Sequence, residues 1–262
     1  MPELPDVEGF RRVLSGHAVG RPIRRVEVLD ADVVHGVTAG ELANALRGRR
    51  FREPWRHGKN LVVPITGRPS PAVLLHFGMT GSLQWATNPE TRHRHDRIVF
   101  GFADGELRFR DMRKLHGLRF ARDPKAVDQA LAELGPDAMD VSAARFRELL
   151  SGRRAQIKPT LMDQTVIAGL GNLLADEILW RARIHPRRPC TALSVQDIRR
   201  IHSRMRTVLK QSVEAGRVPP RKTWLTGRRD EQSGSCPRCG TTLSHGRVGG
   251  RGTTWCPNCQ PS

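Results

Sequence analysis

Residues 236–259 read CPRCGTTLSHGRVGGRGTTWCPNC, two Cys-x-x-Cys pairs with sixteen residues between them. Thiolates at this separation can supply all four ligands of one tetrahedral Zn²⁺, and the module they close, residues 236–262, is too short to build a stable core without such a staple. A disulfide pair or a spacing without meaning are the alternatives. Cys236, Cys239, Cys256 and Cys259 leave no ligand position open for water, so the expected metal is structural. The glycines of RVGGRGTTW suit a tight β-hairpin carrying Arg247 and Arg251, although ribbons of this kind also serve as scaffolds or protein-docking modules. Cys190 lies outside the set and takes no role.

Outward from the ribbon, residues 217–235 (RVPPRKTWLTGRRDEQSGS) are polar and carry Pro and Gly, as a linker does. Residues 141–216 follow a helical pattern, with AARFRELLSG, PTLMDQTVIA, NLLADEILWRARI and SVQDIRRIHSRMRTVLKQSVEAG each closing on Gly, Pro or His-Pro. Ser194 and Asp197 are placed to cap the last of these helices. Within the segment, IAGLGN (167–172) offers two glycines for a tight turn with close backbone approach. Asn172 starts a helix whose free N–H groups suit a phosphate. Alone, that motif is an ordinary helix-turn-helix elbow.

Residues 122–140 hold two turn clusters, Arg122-Asp123-Pro124-Lys125 and Leu134-Gly135-Pro136-Asp137, around a short helical piece, and read as a hinge. The first 121 residues read mainly as β after one short helix at about 5–15. PIRRVEVLDADVV, NLVVPI, AVLLHFGMTGSLQW and DRIVFGFADGELRFRDM are short apolar runs with a hairpin signal at ADG, as in a sandwich or barrel. The expected class is α+β.

The chain has 262 residues, and no stretch approaches the 18 or so apolar residues that span a bilayer. Its start, MPELPDVE, is too acidic and too short of apolar residues for a secretory signal, so a cytoplasmic protein with no membrane partner is expected. The net charge of +18 is uneven: residues 1–140 hold 22 basic and 18 acidic side chains, residues 141–262 hold 22 and 8. Such a bias points to a polyanionic partner, because neutralised phosphates release counterions; a merely soluble basic surface is the alternative.

MPELPDVE, LLHFGMTGSL, DMRK, IKPTLMDQTVIAGLGNLLADEILWRARIHP and GGRGTTWCPNCQ, in this order along nearly the whole chain, resemble the formamidopyrimidine-DNA glycosylase and endonuclease VIII family. The resemblance implies a two-lobed α+β protein: an N-terminal β-sandwich catalytic domain with a leading helix (1–121), a hinge (122–140), a helix-two-turn-helix DNA-binding lobe (141–216), a linker loop (217–235) and a zinc ribbon (236–262). It implies a monomeric bifunctional DNA glycosylase and AP lyase of base-excision repair that acts on damaged double-stranded DNA and carries one structural Zn²⁺.

It also implies roles for residues. Loss of Met1 would leave Pro2 with a free secondary amine, whose pKa near the α-amino range of about 8 keeps a useful fraction nucleophilic. Glu3 corresponds to the general acid or base, and Lys59 in HGKN to the hairpin lysine that assists elimination. Lys158, Asn172 and Arg251 match residues that grip phosphates. Met79 and Arg113 match side chains inserted where a flipped nucleotide has left the stack, for which a core methionine and a surface arginine are the plainer alternatives.

Three departures stand out. Leu115 occupies the place of the usual aromatic wedge, His116 follows where a glycine is more usual, and Asp6 stands for a Glu. The chain also has no tyrosine, and only nineteen residues (217–235) separate Gly216 from Cys236, so the loop that covers an oxidised purine is short or absent. The resemblance therefore assigns the backbone chemistry and leaves the damaged base open. The alternative function is an abasic-site lyase, or a catalytically silent DNA-damage-binding paralogue.

Overall fold

A computed structural model describes residues 1–231 and 233–262. The chain divides into two compact units, Met1–Pro2 with residues 6–133, and Glu3–Pro5 with residues 134–262. Residues 3–5 thus leave the expected first domain. The cause is local: Leu4 is fully buried in the core of the second unit beside Ala138, Ile167 and Leu170, and its N–H donates to the Gly169 carbonyl at 3.1 Å.

The first unit contains α1 (Leu4–His17, apart from its first two residues), β1 (Arg25–Val28), β2 (Val34–His35), α2 (Ala39–Leu46), β3 (Trp55–His57), β4 (Asn60–Pro64), β5 (Ala72–His76), β6 (Ser82–Ala86), β7 (Asp96–Gly101), β8 (Glu106–Arg110), β9 (Leu118–Ala121) and α3 (Pro124–Leu131). The strands form two sheets, ordered β1-β7-β8-β6 and β2-β9-β5-β4-β3, antiparallel except for the β2–β9 pair. One apolar core takes side chains from both sheets, Ile98, Phe100, Leu107 and Phe109 from the first and Leu61, Val63, Val73 and Leu75 from the second, with Val7 and Leu14 of α1. This is a β-sandwich with a leading helix. The unbroken apolar runs of β4 and β5 follow from burial on both faces: their alternate residues Val62 and Leu74 pack outward against Val127 of α3. The run AVLLHFGMTGSLQW is two strands rather than one, because Gly78 to Gly81 turn the chain from one sheet into the other.

The second unit contains α4 (Ala143–Leu150), α5 (Ile157–Met162), α6 (Asn172–Ala182), α7 (Val195–Glu214) and the hairpin β10 (Ser244–Val248) with β11 (Arg251–Trp255). The expected cap of α7 is present: the Ser194 hydroxyl accepts from the Asp197 N–H, and the Asp197 carboxylate accepts from the Ser194 N–H, both at 3.1 Å. Helices α4 to α7 close around Phe146, Leu161, Leu174, Ile178, Ile201 and Met205. The ribbon packs on a separate cluster of Trp180, Leu225, Leu243, Cys236 and Cys256. No helix among the described residues is long and apolar enough to cross a membrane.

Candidate active site and nucleic-acid interface

Glu3 is 1% exposed, and its carboxylate sits on the N-terminus of α6. It accepts the backbone N–H groups of Gly171 at 2.9 Å, Leu173 at 2.7 Å and Leu174 at 3.1 Å. Three donors and the positive end of a helix stabilise negative charge at this point. Space for the side chain comes from the glycines of IAGLGN: a Cβ on Gly171 would lie 2.3 Å from Glu3 Cδ, and one on Gly169, whose φ is +115°, would lie 2.5 Å from Leu4 Cδ1. Gln164 holds that turn, donating to the carbonyls of Met162 and Leu170 and accepting from the Gly169 N–H. The expectation that free N–H groups here await a phosphate is thereby corrected, since Glu3 occupies three of them.

A second arrangement fixes the hairpin that carries Arg251. The Gly252 carbonyl accepts from three side chains: Arg229 Nη2 at 2.7 Å, Asn172 Nδ2 at 3.0 Å and Lys158 Nζ at 3.2 Å. Lys158 is fully buried, paired with Asp176 at 2.6 Å and donating to the Thr253 hydroxyl at 2.7 Å; Arg229 meets the other Asp176 oxygen at 2.5 Å. Burial pushes the Lys158 ammonium down and the Asp176 carboxyl up, and the opposite charge of each partner restrains both shifts. Lys158 is thus engaged with Asp176, Thr253 and the Gly252 carbonyl. It is spent on holding the backbone beside Arg251, which is itself exposed.

In the first unit, Lys59 lies in the two-residue turn Gly58-Lys59 between β3 and β4, with His57 paired to Asn60. Asn60 pairs in turn with His76 of β5. Burial, followed by the charges of His116 and Lys59, pushes the His76 imidazole down to about 4, and the Gly78 N–H donates to its Nδ1 at 3.1 Å. His76 is thus a neutral acceptor at physiological pH that holds the start of the Gly78–Gly81 turn. That turn carries Met79, whose sulfur meets Arg113 Nη1 at 3.0 Å. Thr80 and Asp111 anchor the two loops, both accepting the Arg113 N–H. Leu115, 49% exposed, stands in the same loop as Arg113, and Met112 is exposed beside them. Met79, Arg113 and Leu115 thus come from one corner of the sandwich. Pro2 is half-buried at the chain start.

The four thiols of Cys236, Cys239, Cys256 and Cys259 lie within 4.8 Å of one another, with Sγ to Sγ distances of 3.9 Å for Cys236–Cys259 and 3.5 Å for both Cys239–Cys256 and Cys239–Cys259. Sulfurs around a tetrahedral zinc at about 2.3 Å are separated by roughly 3.8 Å, so the set fits the ion. Trp180 Nε1 donates to Cys236 Sγ at 3.3 Å, the outer hydrogen bond that orients a thiolate ligand.

Residues 1–118 match the model of the formamidopyrimidine-DNA glycosylase N-terminal domain, 134–221 that of the formamidopyrimidine-DNA glycosylase H2TH domain, and 235–261 a zinc finger found in FPG and IleRS. The chain belongs to the formamidopyrimidine-DNA glycosylase family. Relatives named formamidopyrimidine-DNA glycosylase include one from Heliobacterium modesticaldum, 35% identical over 99% of this chain and 100% of the relative, and one from Roseiflexus sp., 38% identical over 99% and 100%. Among solved structures, the Lactococcus lactis Fpg in complex with DNA containing an abasic site superimposes with a TM-score of 0.89 at 31% identity. A point mutant of the Lactococcus lactis protein with DNA containing Fapy-dG does so at 0.90 and 31%, each covering both chains fully.

Membership in the glycosylase family makes the chain a DNA glycosylase of base-excision repair, with a helix-two-turn-helix domain and one structural Zn²⁺ in the ribbon. Asp176, Arg229 and Gln164 carry much of the second unit's site geometry and escape a reading of the sequence alone. Asp176 is legible there only as a carboxylate on the buried face of a helix, a pattern that asks for a partner.

Proposed function

We propose that the chain is a bifunctional enzyme, a DNA glycosylase and abasic-site lyase that works through its N-terminal proline. The observation that carries this reading is the seating of the Glu3 carboxylate, buried on three N–H groups, one peptide bond from Pro2. A carboxylate held so rigidly is pre-organised for proton transfer beside a nucleophile.

Removal of Met1 leaves a secondary amine at Pro2. Its lone pair attacks C1′ of the damaged nucleoside, the C1′–N bond to the base breaks, and the base leaves with that electron pair and a proton. The Glu3 carboxylate takes up the N–H proton that Pro2 releases on attack and delivers it to the ring oxygen as the C1′–O4′ bond opens, giving an iminium between Pro2 and C1′, while water supplies the proton taken by the departing base. This cation draws electrons from C2′, so loss of a C2′ proton expels the 3′ phosphate, and a further proton loss at C4′ expels the 5′ phosphate. Lys59 supports the departing phosphate charge from its hairpin turn. Asn172 and Arg251 contact the backbone, and Met79, Arg113 and Leu115 fill the space of the everted nucleotide.

The substrate in this reading is damaged double-stranded DNA in the cytoplasm, met by a monomer. The Lactococcus lactis relatives bound to DNA containing an abasic site or Fapy-dG support that class. Leu115, His116 and the nineteen-residue linker favour a second reading, a paralogue that binds damaged DNA and releases it uncut.

Borohydride reduction tests the mechanism, because it converts the iminium into a stable crosslink. With Met1-processed, zinc-loaded protein, an abasic duplex is expected to crosslink, and Pro2→Gly and Glu3→Gln to crosslink far less. Duplexes bearing 8-oxoguanine, a formamidopyrimidine or an oxidised pyrimidine then separate base excision from lyase activity alone. No crosslink on any duplex would leave a protein that binds damage without cutting it.

A further inference from the structure

The C-terminal end of α6 opens into a cavity of about 740 Å³ lined by six arginines, Arg181, Arg183, Arg200, Arg204, Arg221 and Arg238, and by no acidic residue. Along the 11 residues of α6 this end lies about 16 Å from the Glu3 seat, so no group bound there touches the phosphates that Asn172 would meet. Some of the six have tasks within the fold. Arg181 pairs with Glu177, Arg200 with Asp197, and Arg200 and Arg238 donate to the α6 carbonyls of Ala182 and Trp180, as cations at a helix C-terminus do. Arg183, Arg204 and Arg221 have no carboxylate partner among the described residues.

Two features go beyond capping a helix. Arg183 holds the position just past the helix with φ +57° and ψ +42°, the left-handed conformation that glycine adopts freely and a side chain resists. The fold needs no guanidinium there to end α6, since the Arg183 N–H closes it on the Leu179 and Trp180 carbonyls whatever the side chain. Guanidinium carbons also lie over indole rings: Arg181 at 4.2 Å and Arg221 at 5.7 Å over Trp224, and Arg238 at 4.4 Å over Trp180. Such contacts restrain guanidinium groups that line the cavity.

We propose that this cavity is a binding site for a small polyphosphorylated anion. Its volume lies in the range of small-molecule sites, and several donor-only forks around one space suit a ligand that concentrates charge. An acidic peptide fits less well, because its carboxylates are spread along an extended backbone. It would also find little apolar side chain to pack on beyond Trp224 and Trp180, which are 2% and 5% exposed.

The test is calorimetric titration of the full zinc-loaded chain with inorganic triphosphate and with ATP at constant ionic strength, together with thermal melting of each variant. One triphosphate per chain is expected to bind. Arg183→Gly and Arg204→Ala should each weaken it about tenfold or more, as loss of a charge-assisted contact does, while Arg206→Ala, exposed on the same helix as Arg204 but outside the cavity, should not. Arg183→Gly should melt no lower than the parent, because glycine relieves the left-handed strain. Equal binding of both ligands assigns the site to the phosphate chain, and tighter ATP to a nucleotide. Equal losses in all three variants would mean only a diffuse basic surface, and overturn the proposal. So would unchanged affinity in Arg183→Gly and Arg204→Ala, or preference of the same arginines for a poly-glutamate peptide or a DNA duplex.

Discussion

Gly171 is glycine because Glu3 takes the space of its side chain: a Cβ there would lie 2.3 Å from Glu3 Cδ and 2.6 Å from its Oε1. The contact joins the third residue of the chain to the turn before α6, and the hydrogen bond from the Gly171 N–H at 2.9 Å depends on the same closeness. Glycine at 171 is thus a condition on the orientation of the carboxylate.

Gly171→Ala should therefore act on catalysis without removing any reacting group. The added methyl must push Glu3 off its donors, and displacement of a catalytic group by about 1 Å can cost on the order of 100-fold. Single-turnover strand cleavage on an abasic duplex should fall toward the level of Glu3→Gln, while far-UV circular dichroism stays that of the parent. Full activity in Gly171→Ala would show that the seat of Glu3 is not part of the chemistry.

Lys158 and Arg251 should separate cleanly in salt titrations of DNA binding. A side chain that touches a phosphate contributes roughly one unit to the slope of log affinity against log salt. Arg251→Ala, at an exposed position, should reduce that slope by about one. Lys158→Met should leave it nearly unchanged and instead lower stability by about 1–3 kcal/mol, since buried Asp176 loses one of its partners and keeps Arg229 and the Thr254 N–H. Urea unfolding of the two variants checks the second half. A reduced slope with parental stability in Lys158→Met would restore the phosphate contact.

Much of the architecture is open to the sequence because local rules and tertiary packing agree there. The Cys-x-x-Cys spacing, the Ser194-Asp197 cap and the ADG turn each say what they do. The burial of Lys158 is not legible in the sequence, because a lysine has the same letters whether it faces water or a buried aspartate eighteen residues on. The glycines of IAGLGN read as a tight turn with close backbone approach, but not as room for Leu4 and Glu3. A sequence of about 165 intervening residues carries no local trace of that partner, since only the folded chain brings the two segments together. Arg229 is hidden for the same reason, inside a stretch whose composition says linker.

Glu106 should give the first unit an acid-sensitive limb. Its carboxylate, 3% exposed, meets Arg25, Arg92 at 2.7 Å and Arg108 at 2.9 Å. Burial opposes its ionisation, but the hydrogen bonds from Arg92, Arg108 and Arg25 outweigh it and hold the group at about 2. A folded value below the unfolded one near 4.5 stabilises the fold fully above pH 4.5 and is lost as pH falls toward 2. The linked stabilisation is of order 1–3 kcal/mol. Glu106→Gln should be less stable than the parent at pH 7 and show a flatter loss of melting temperature between pH 4.5 and 2. An unchanged acid limb would mean that Glu106 is not the group responsible.

Zinc removal should act on the ribbon and spare the sandwich. The ribbon's own apolar contacts are few, Leu243 with Trp180 and Leu225, and two of its ligands, Cys236 and Cys256, are part of that same cluster. Without the metal, four thiols packed within 4.8 Å lose the charge and bonds that hold them together, and structural zinc of this type contributes folding energy directly. A strong chelator, or Cys256→Ser, should release one zinc per chain and abolish tight duplex binding, because Arg251 and the Gly252 carbonyl ride on the freed hairpin. Hydrogen exchange should rise across 236–260 and around Trp180, while β4, β5 and β8 keep their protection. Equal loss of protection in the sandwich would show that the two units depend on the metal together.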